Sequence, residues 1–111
     1  GRVRHRTRAA VDAWALRAYG EIRADVLFVA ANGFSAEHGL TTPDLAEAAV
    51  KRAALAAARR VVLLADSAKH GQEHFARFGD LSDVDLLITD SGLSPEDAAA
   101  IERGGTEVVR A

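Results

Sequence analysis

The sequence predicts an α/β domain with a mostly parallel sheet and helices on both faces. Four short apolar runs that include β-branched residues, at residues 26–31, 61–65, 84–88 and 107–109, alternate with stretches of helical character. This alternation is typical of parallel strands covered by helices. Polar residues follow three of the runs, where the carboxyl ends of parallel strands commonly form ligand sites.

Length and composition limit what the chain is able to do. With 111 residues and 49% hydrophobic content, it is sufficient for one domain or a large piece of one. A net charge of −2 gives no long-range attraction to polyanions, so we expect any DNA contact to come from outside this chain. There is no cysteine, no membrane-spanning apolar run and no signal segment, which favours the cytoplasm.

The first elements are an arginine-rich strand and a helix. Arginines at positions 2, 4, 6 and 8 alternate with other residues and would share one side of an extended segment. That side is either a solvated edge-strand face or a patch for phosphate or DNA. A helix capped by Thr7 follows, and its apolar spacing is set by Val11, Ala15, Ala18, Tyr19 and Ile22.

Two further helices follow from capping signals. Thr42, Pro43 and Asp44 supply a cap, a proline suited to the first helical position and an acid near the positive helix end. This helix is predicted to run to about residue 58, with Glu47 and Lys51 as a surface or pocket-edge pair. Its other side carries Leu45, Ala49, Ala53 and Ala56. A later helix begins after Ser94 and stops at the glycines 104 and 105, and its strand partner is at residues 107–110.

Polar residues at three strand ends predict one shared pocket. They are Asn32 and Gly33, the Asp-Ser-Ala-Lys segment at residues 66–69, and the Thr-Asp-Ser-Gly segment at residues 89–92. An acid and an amine three residues apart, as in Asp66 and Lys69, suit sugar hydroxyls and phosphate. The same residue types also form turns and cap helices without any ligand, and for Asp90 both interpretations stay open.

Other chemistry has weaker support. Residues 33–40 form either a mobile loop over the pocket or a plain surface connection. His70 and His74 have the spacing of a metal pair on a helix, but Gly71 intervenes and no third ligand is evident, so no metal is expected. No nucleophile elbow, Walker loop or dinucleotide fingerprint occurs, so no catalytic residue and no cofactor are predicted.

Five stretches in order resemble the effector-sensing domain of DeoR-type transcriptional repressors. These are residues 24–33, 39–44, 47–52, 66–69 and 87–92. The resemblance implies a phosphorylated-sugar sensor with a fold similar to ribose-5-phosphate isomerase, and no enzymatic activity. It further implies that residues 1–111 form the C-terminal part of the sensor. An N-terminal winged helix-turn-helix and an Asp-x-Gly-Thr-Thr phosphate loop would lie outside this chain.

Comparison with the isomerase gives the reason to expect binding without catalysis. The isomerase has an Asp-Gly-Ala-Asp-Glu turn after the equivalent strand, whereas residues 29–33 here are Val-Ala-Ala-Asn-Gly. The turn therefore lacks the acid and base that aldose–ketose exchange requires. The sequence departs from the family pattern at Val11-Asp12 and at His70, and these changes leave the sugar unidentified.

The leading hypothesis is an effector domain whose ligand contacts Asn32, Gly33, Asp66 and Lys69, with Lys51 and His38 at the rim. Binding would shift the repressor between DNA-bound and released states. A sugar-phosphate isomerase with Glu37, Glu47 or Asp90 as base is one alternative. A phosphoacceptor domain using Asp66 or Asp90 is another. Because part of the sensor is expected elsewhere, uncovered apolar surface predicts self-association.

Overall fold

A computed structural model of the chain describes residues 24–111. Predictions made for residues 2–22 lie outside the described residues. The described elements, in chain order, are β1 (Ala24–Ala30), β2 (Gly33–Ser35), β3 (Gly39–Thr42), α1 (Leu45–Ala57), β4 (Ala58–Leu64), a 3-10 helix (Ser67–Lys69), β5 (Ala76–Gly79), a second 3-10 helix (Leu81–Asp83), β6 (Leu86–Thr89), α2 (Pro95–Arg103) and β7 (Glu107–Arg110). None of the helices in this part of the chain is long and apolar enough to cross a bilayer.

The main sheet confirms the predicted α/β class. Strands β1, β4, β6 and β7 pair in that order, and every pairing is parallel. All four predicted runs supply a strand, although the strand of the third run, β6, starts at Leu86 and not at Val84. Val84 is instead the C-cap of the second 3-10 helix, and its amide donates to the carbonyl oxygen of Leu81 at 3.0 Å. Its side chain is still buried, which explains why it lies in an apolar run.

A second sheet was not predicted. Strands β2, β3 and β5 pair antiparallel in that order. Residues 33–40, considered above as a loop, therefore form most of a hairpin, in which Gly39 takes a positive φ of 70° that favours glycine. The strands have three or four residues each and include glycine, serine and threonine, so they carry little of the alternation from which strands are recognised.

The core lies on one face of the parallel sheet. Successive strands are added in one direction, so right-handed crossovers place α1 and α2 on the same face. Both helices and the second sheet share one hydrophobic cluster with that face. The cluster includes Val29, Leu63 and Leu87 from the parallel strands, Phe34, Leu40 and Phe78 from the second sheet, and Ala48, Ala98 and Ile101 from the helices.

The opposite face of the sheet retains exposed apolar side chains. The strand register aligns Ala30 with Leu64, Leu64 with Ile88, and Ile88 with Val109, so these side chains share one face. Phe28 on the same face is 64% exposed, and Leu64 and Val109 are 44% and 45% exposed. Helices were predicted on both faces of the sheet, and the helix predicted from Thr7 to Ile22 lies outside the described residues.

Helix α1 starts later than its sequence suggests. Asp44 is the N-cap, and its carboxylate accepts from the amides of Ala46 at 2.8 Å and Glu47 at 3.2 Å. The prediction of Thr42 as the cap is wrong, because Thr42 is the last residue of β3 and is fully buried. The buried residues of α1 are Ala48, Ala54 and Ala57, whereas Leu45 is 65% exposed. The predicted ends of α2 are confirmed at Ser94 and Gly104.

Candidate ligand site at the carboxyl ends of the parallel strands

Three polar residues occupy equivalent positions beyond three neighbouring strands. Ala30, Leu64 and Ile88 are aligned across β1, β4 and β6. Asn32, Asp66 and Asp90 each follow one of these residues by two positions. Since all three strands run in the same direction, the three residues lie at one edge of the sheet, where ligands of open α/β sheets bind.

A contact between the two sheets draws the Asp66–Lys69 turn toward Asn32. Phe34 in β2 forms a parallel bridge with His70, and the amide of Gly71 donates to the carbonyl oxygen of Phe34 at 2.9 Å. The rings of Phe34 and His70 pack with centroids 5.3 Å apart. The chain therefore runs from Asn32 into β2 directly beside the chain that leaves Lys69.

Asp66 and Lys69 flank a single turn of 3-10 helix. Asp66 stands at its N-cap position, yet its side chain makes no cap hydrogen bond. Within residues 24–111 neither the Asp66 carboxylate nor the Lys69 ammonium has a hydrogen bond or ion pair. Asp66 is exposed and Lys69 is partly buried. A carboxylate and an ammonium without partners in the described part of the chain are available to a polar ligand.

The Asp90 carboxylate accepts hydrogen bonds, whereas the Asp66 carboxylate accepts none within residues 24–111. One of its carboxylate oxygens accepts from the amide of Ser67 at 2.9 Å, and the other accepts from the amide of Gly92 at 2.8 Å. Hydrogen bonds from the side chain and amide of Ser67, and then from Gly92, lower the pKa of the Asp90 carboxyl below its ordinary value. These contacts are the ones expected of an aspartate that stabilises turns without a ligand.

Asn32 and Gly33 are held by the second sheet. The amide of Asn32 donates to the carbonyl oxygen of Thr41 at 3.0 Å, and Nε2 of His74 lies 3.1 Å from the carbonyl oxygen of Asn32. Within residues 24–111 the Asn32 side-chain amide has no hydrogen bond, and the residue is partly exposed. Gly33 is buried, and a Cβ there would overlap the carbonyl oxygen of Gln72. Its lack of a side chain lets the 71–74 segment pack against β2.

The side chain of Lys51 reaches the end of β1, where it already has partners within the protein. Its ammonium donates to the carbonyl oxygen of Ala30 at 2.6 Å and pairs with Glu47 at 3.1 Å. It also lies 5.1 Å from the centroid of the Phe78 ring. The side chain is only 17% exposed. The predicted pair of Glu47 and Lys51 is thus present, and it ties α1 to the edge of the sheet.

His38 lies away from the other predicted residues. It belongs to the turn between β2 and β3, where its amide donates to Oγ of Ser35 at 2.9 Å. Its ring lies 3.4 Å from a carboxylate oxygen of Glu73 and 3.8 Å from one of Glu37. Asn32 and His38 stand at opposite ends of β2, so the structure does not bring His38 to the strand ends with Asn32.

His70 and His74 do not share a helical turn. His70 forms the bridge to Phe34 and lies 3.7 Å from a carboxylate oxygen of Asp97, while the His74 ring contacts Asn32. Over residues 24–111, no group of three or more histidine, cysteine, aspartate or glutamate side chains is arranged to hold a metal ion.

Three cavities in the described part of the chain are lined by residues other than Asn32, Asp66 and Lys69. The largest, of about 570 Å³, lies between α2 and β7 and is lined by Glu102, Arg103 and Arg110 among others. A second, of about 440 Å³, lies near Arg52, Asp83 and Asp85, and the third is near Leu81 and Thr106. We place the candidate site at the ends of β1, β4 and β6 because Asn32, Asp66 and Lys69 lie together at that edge of the sheet, and the charged groups of Asp66 and Lys69 have no partner in residues 24–111.

Sequence reasoning missed the residues that support the site. Thr41 donates through Oγ1 to the carbonyl oxygen of Gly33 at 3.4 Å and accepts from the amide of His74 at 3.1 Å. Ser67 joins the turn to Asp90. The sequence identified Asp90 as a strand-end residue, but not its bond to Ser67. The contact of His74 could not be recognised, because it joins residues 42 positions apart.

Comparisons with known proteins find one family and a set of HTH-type transcriptional regulators that resemble this chain. Residues 1–91 match the family described as the DeoR C terminal sensor domain. The chain is 38% identical over 109 residues to the HTH-type transcriptional regulator GlpR of Haloferax volcanii, which covers 98% of this chain and 43% of the relative. It is 34% identical over 73 residues to the HTH-type transcriptional repressor GlcR of Bacillus subtilis, which covers 66% of this chain and 28% of the relative.

A third relative is the uncharacterized HTH-type transcriptional regulator FruR of Bacillus subtilis, 37% identical over 91 residues, or 82% of this chain and 36% of the relative. The chain thus spans less than half the length of these curated relatives. The parallel sheet, the polar strand ends and the match over residues 1–91 lead to one conclusion: this chain belongs to the DeoR C-terminal sensor domain family.

Proposed function

We propose that the chain is the effector-binding part of a DeoR-type transcriptional repressor and that its effector is a phosphorylated sugar. The observation that carries the proposal is the pair of charged side chains at the strand ends, Asp66 and Lys69, which have no partner in residues 24–111. The Lys69 ammonium suits the phosphate, and the Asp66 carboxylate suits sugar hydroxyls. Asn32 supplies an amide that both donates and accepts.

In this chain Lys69 is the one cation that we assign to the phosphate. A phosphate group is normally bound by more than one cation or backbone donor. We propose that the rest of the protein supplies a phosphate-binding loop and a helix-turn-helix that contacts DNA, as the family relationship implies. Ligand binding would change DNA affinity only if the two states of the repressor bind the sugar unequally. The protein would act in the cytoplasm, as a homo-oligomer.

The acids considered as a base for the isomerase alternative, Glu37, Glu47 and Asp90, support binding without catalysis. Residues 29–33 carry no acid, and both oxygens of the Asp90 carboxylate accept hydrogen bonds from the backbone. Glu47 pairs with Lys51, and Glu37 lies in the hairpin turn with His38. None of these groups stands free beside Lys69 as a base for aldose–ketose exchange. The same bonds make Asp90 a poor phosphoacceptor.

A thermal-shift panel on the complete protein tests the proposal. The panel contains ribose 5-phosphate, fructose 1-phosphate, fructose 6-phosphate and glycerol 3-phosphate, with the unphosphorylated compounds and inorganic phosphate as controls. A ligand that binds only the folded state raises the Tm by mass action. We expect at least one phosphorylated sugar to raise the Tm far more than its unphosphorylated form does.

Two variants make the test specific to the site. Lys69→Met and Asp66→Asn should remove the ligand-dependent rise while leaving the Tm without ligand unchanged, since neither side chain has a partner in residues 24–111. Formation of ketose from ribose 5-phosphate would instead support the isomerase. Labelling of Asp66 or Asp90 by acetyl phosphate would support the phosphoacceptor alternative. A ligand-dependent rise that survives in both variants would reject the proposed site.

A further inference from the structure

Asp90 connects two loops that are far apart in sequence. Its carboxylate accepts from Ser67 in the turn after β4 and from Gly92 in the turn after β6. The Ser67 bond joins residues 23 positions apart, so it fixes one turn relative to the other and does not merely shape a local turn.

The packing around this contact is tight. A Cβ on Gly92 would overlap Oγ of Ser67, and it would come within 2.8 Å of a carboxylate oxygen of Asp90. Glycine at position 92 lets the two turns approach closely enough for the Ser67 amide to reach the carboxylate. The lack of space at position 92 is thus a second sign, besides the hydrogen bonds, that the two turns pack closely together.

The far end of the same turn is also attached. His70 follows Lys69 directly, and its ring packs on Phe34 and lies 3.7 Å from the carboxylate of Asp97 in α2. Ser67 and His70 thus anchor the turn at two points, with Lys69 between them and Asp66 directly before Ser67. Their backbone is held while their charged groups stay without partners in the described residues.

We propose that Asp90 is the positioning residue of this site: through Ser67 it holds the turn that carries Asp66 and Lys69, and it does not contact the ligand. The proposal rests on the proposed function and extends it to a residue with no ligand-binding role of its own. A turn fixed before binding loses less conformational freedom when the ligand arrives, so the same contacts yield higher affinity. Removing the Asp90 carboxylate should therefore lower affinity without removing any ligand contact.

Asp85 provides a matched control. Its carboxylate accepts from the amide of Val61 at 2.7 Å, which is the same kind of bond between neighbouring strands. It lies before β6, at the opposite edge of the sheet from Asp90. Asp85→Ala removes one bond of this kind, and Asp90→Ala removes the corresponding bond from Ser67 together with the local bond from Gly92. Only Asp90 lies beside the candidate site.

The experiment combines hydrogen exchange with binding of inorganic phosphate to the complete protein. Mass spectrometry follows exchange in the peptide that covers residues 65–71, and thermal-shift titration with phosphate gives its affinity. We expect Asp90→Ala to raise exchange in that peptide at least tenfold and to weaken phosphate binding at least fivefold. Asp90→Asn, which keeps one acceptor oxygen, should recover part of both effects, and Asp85→Ala should cause neither.

The outcomes separate this proposal from the proposed function. If the wild-type protein binds neither phosphate nor any sugar phosphate, the proposed function fails, and the ligand-positioning role of Asp90 fails with it. If the wild type binds phosphate and Asp90→Ala binds it equally well, the proposed function stands and Asp90 is not a positioning residue. Unchanged exchange in the 65–71 peptide of Asp90→Ala would likewise overturn the proposal.

Discussion

The ammonium group of Lys51 donates a 2.6 Å hydrogen bond to the carbonyl oxygen of Ala30, the last residue of β1. This bond joins the middle of α1 to the strand end that leads to Asn32. Together with the Glu47 pair at 3.1 Å, it gives Lys51 a structural role at the edge of the candidate site. A contact of Lys51 with a ligand would have to replace or share these bonds.

Replacing Lys51 with methionine should therefore destabilise the protein. Methionine keeps most of the apolar stem but loses the bond to Ala30, the pair with Glu47 and the contact with the Phe78 ring. Hydrogen bonds from a charged group contribute about 1.5–3 kcal/mol when buried, and exposed pairs contribute less. We expect a loss of about 1–2 kcal/mol in the free energy of unfolding, measured by urea denaturation.

Lys69→Met is the control for this prediction, because the Lys69 ammonium has no partner in residues 24–111. It should change the free energy of unfolding by less than about 0.5 kcal/mol. Equal losses in the two lysine variants would contradict the structural role assigned to Lys51.

Gly33→Ala should be strongly destabilising. The added methyl group would overlap the carbonyl oxygen of Gln72 and come within 2.9 Å of Oγ1 of Thr41, so the 71–74 segment would have to move. Overpacking of this kind costs about 1–3 kcal/mol. Gly104→Ala is the control, since its nearest neighbour would be 3.3 Å away and its φ is negative. Thermal denaturation should show a large drop in Tm for the first variant only, and similar Tm values would refute the close approach.

The stability conferred by Asp90 should depend on pH. Its hydrogen bonds lower the pKa of the folded carboxyl, so the ionised form favours the folded state. The stabilisation is present above about pH 4, where an unfolded aspartate is ionised, and is lost as the pH falls through the lowered pKa of the folded state. The gap in unfolding free energy between wild type and Asp90→Asn should thus narrow below that pH. A gap that widens on acidification would contradict the assignment.

The exposed apolar side chains on the second face of the sheet should cause the 111-residue chain to self-associate. Phe28 is 64% exposed on that face, beside an edge of the parallel sheet. Exposed apolar patches of this kind favour association. Phe28→Ser should lower the average mass measured by light scattering, whereas Phe75→Ser, which changes an even more exposed phenylalanine in another region, should have a smaller effect. A monomeric wild-type chain would contradict the prediction.

The parallel sheet was predictable because its strands are apolar on both faces. In β4, Val61, Val62 and Leu63 are all buried, and a continuous run of this type marks a strand between two layers. The second sheet was not predictable for the opposite reason. Its strands are short, and β3 owes its burial to contacts with β2 and β5 that no local pattern reveals.

The candidate site divides in a similar way. Asn32, Asp66 and Lys69 could be predicted because polar residues after buried strands meet at one edge of the sheet. The hydrogen bond from Lys51 to Ala30 and the distance of His38 from Asn32 could not be predicted, because both depend on how α1 and the hairpin pack. Spacing along the chain identifies which residues are polar, but only the packing determines which of them have no partner.

The most direct test compares wild type and Lys69→Met by calorimetry, using the sugar phosphate that most raises the Tm and its unphosphorylated form. If Lys69 binds the phosphate, the wild-type protein should bind the phosphorylated sugar at least tenfold more tightly than the unphosphorylated one. In Lys69→Met most of that preference should be gone. An unchanged preference in the variant would show that the phosphate is bound elsewhere and would contradict the account of the site.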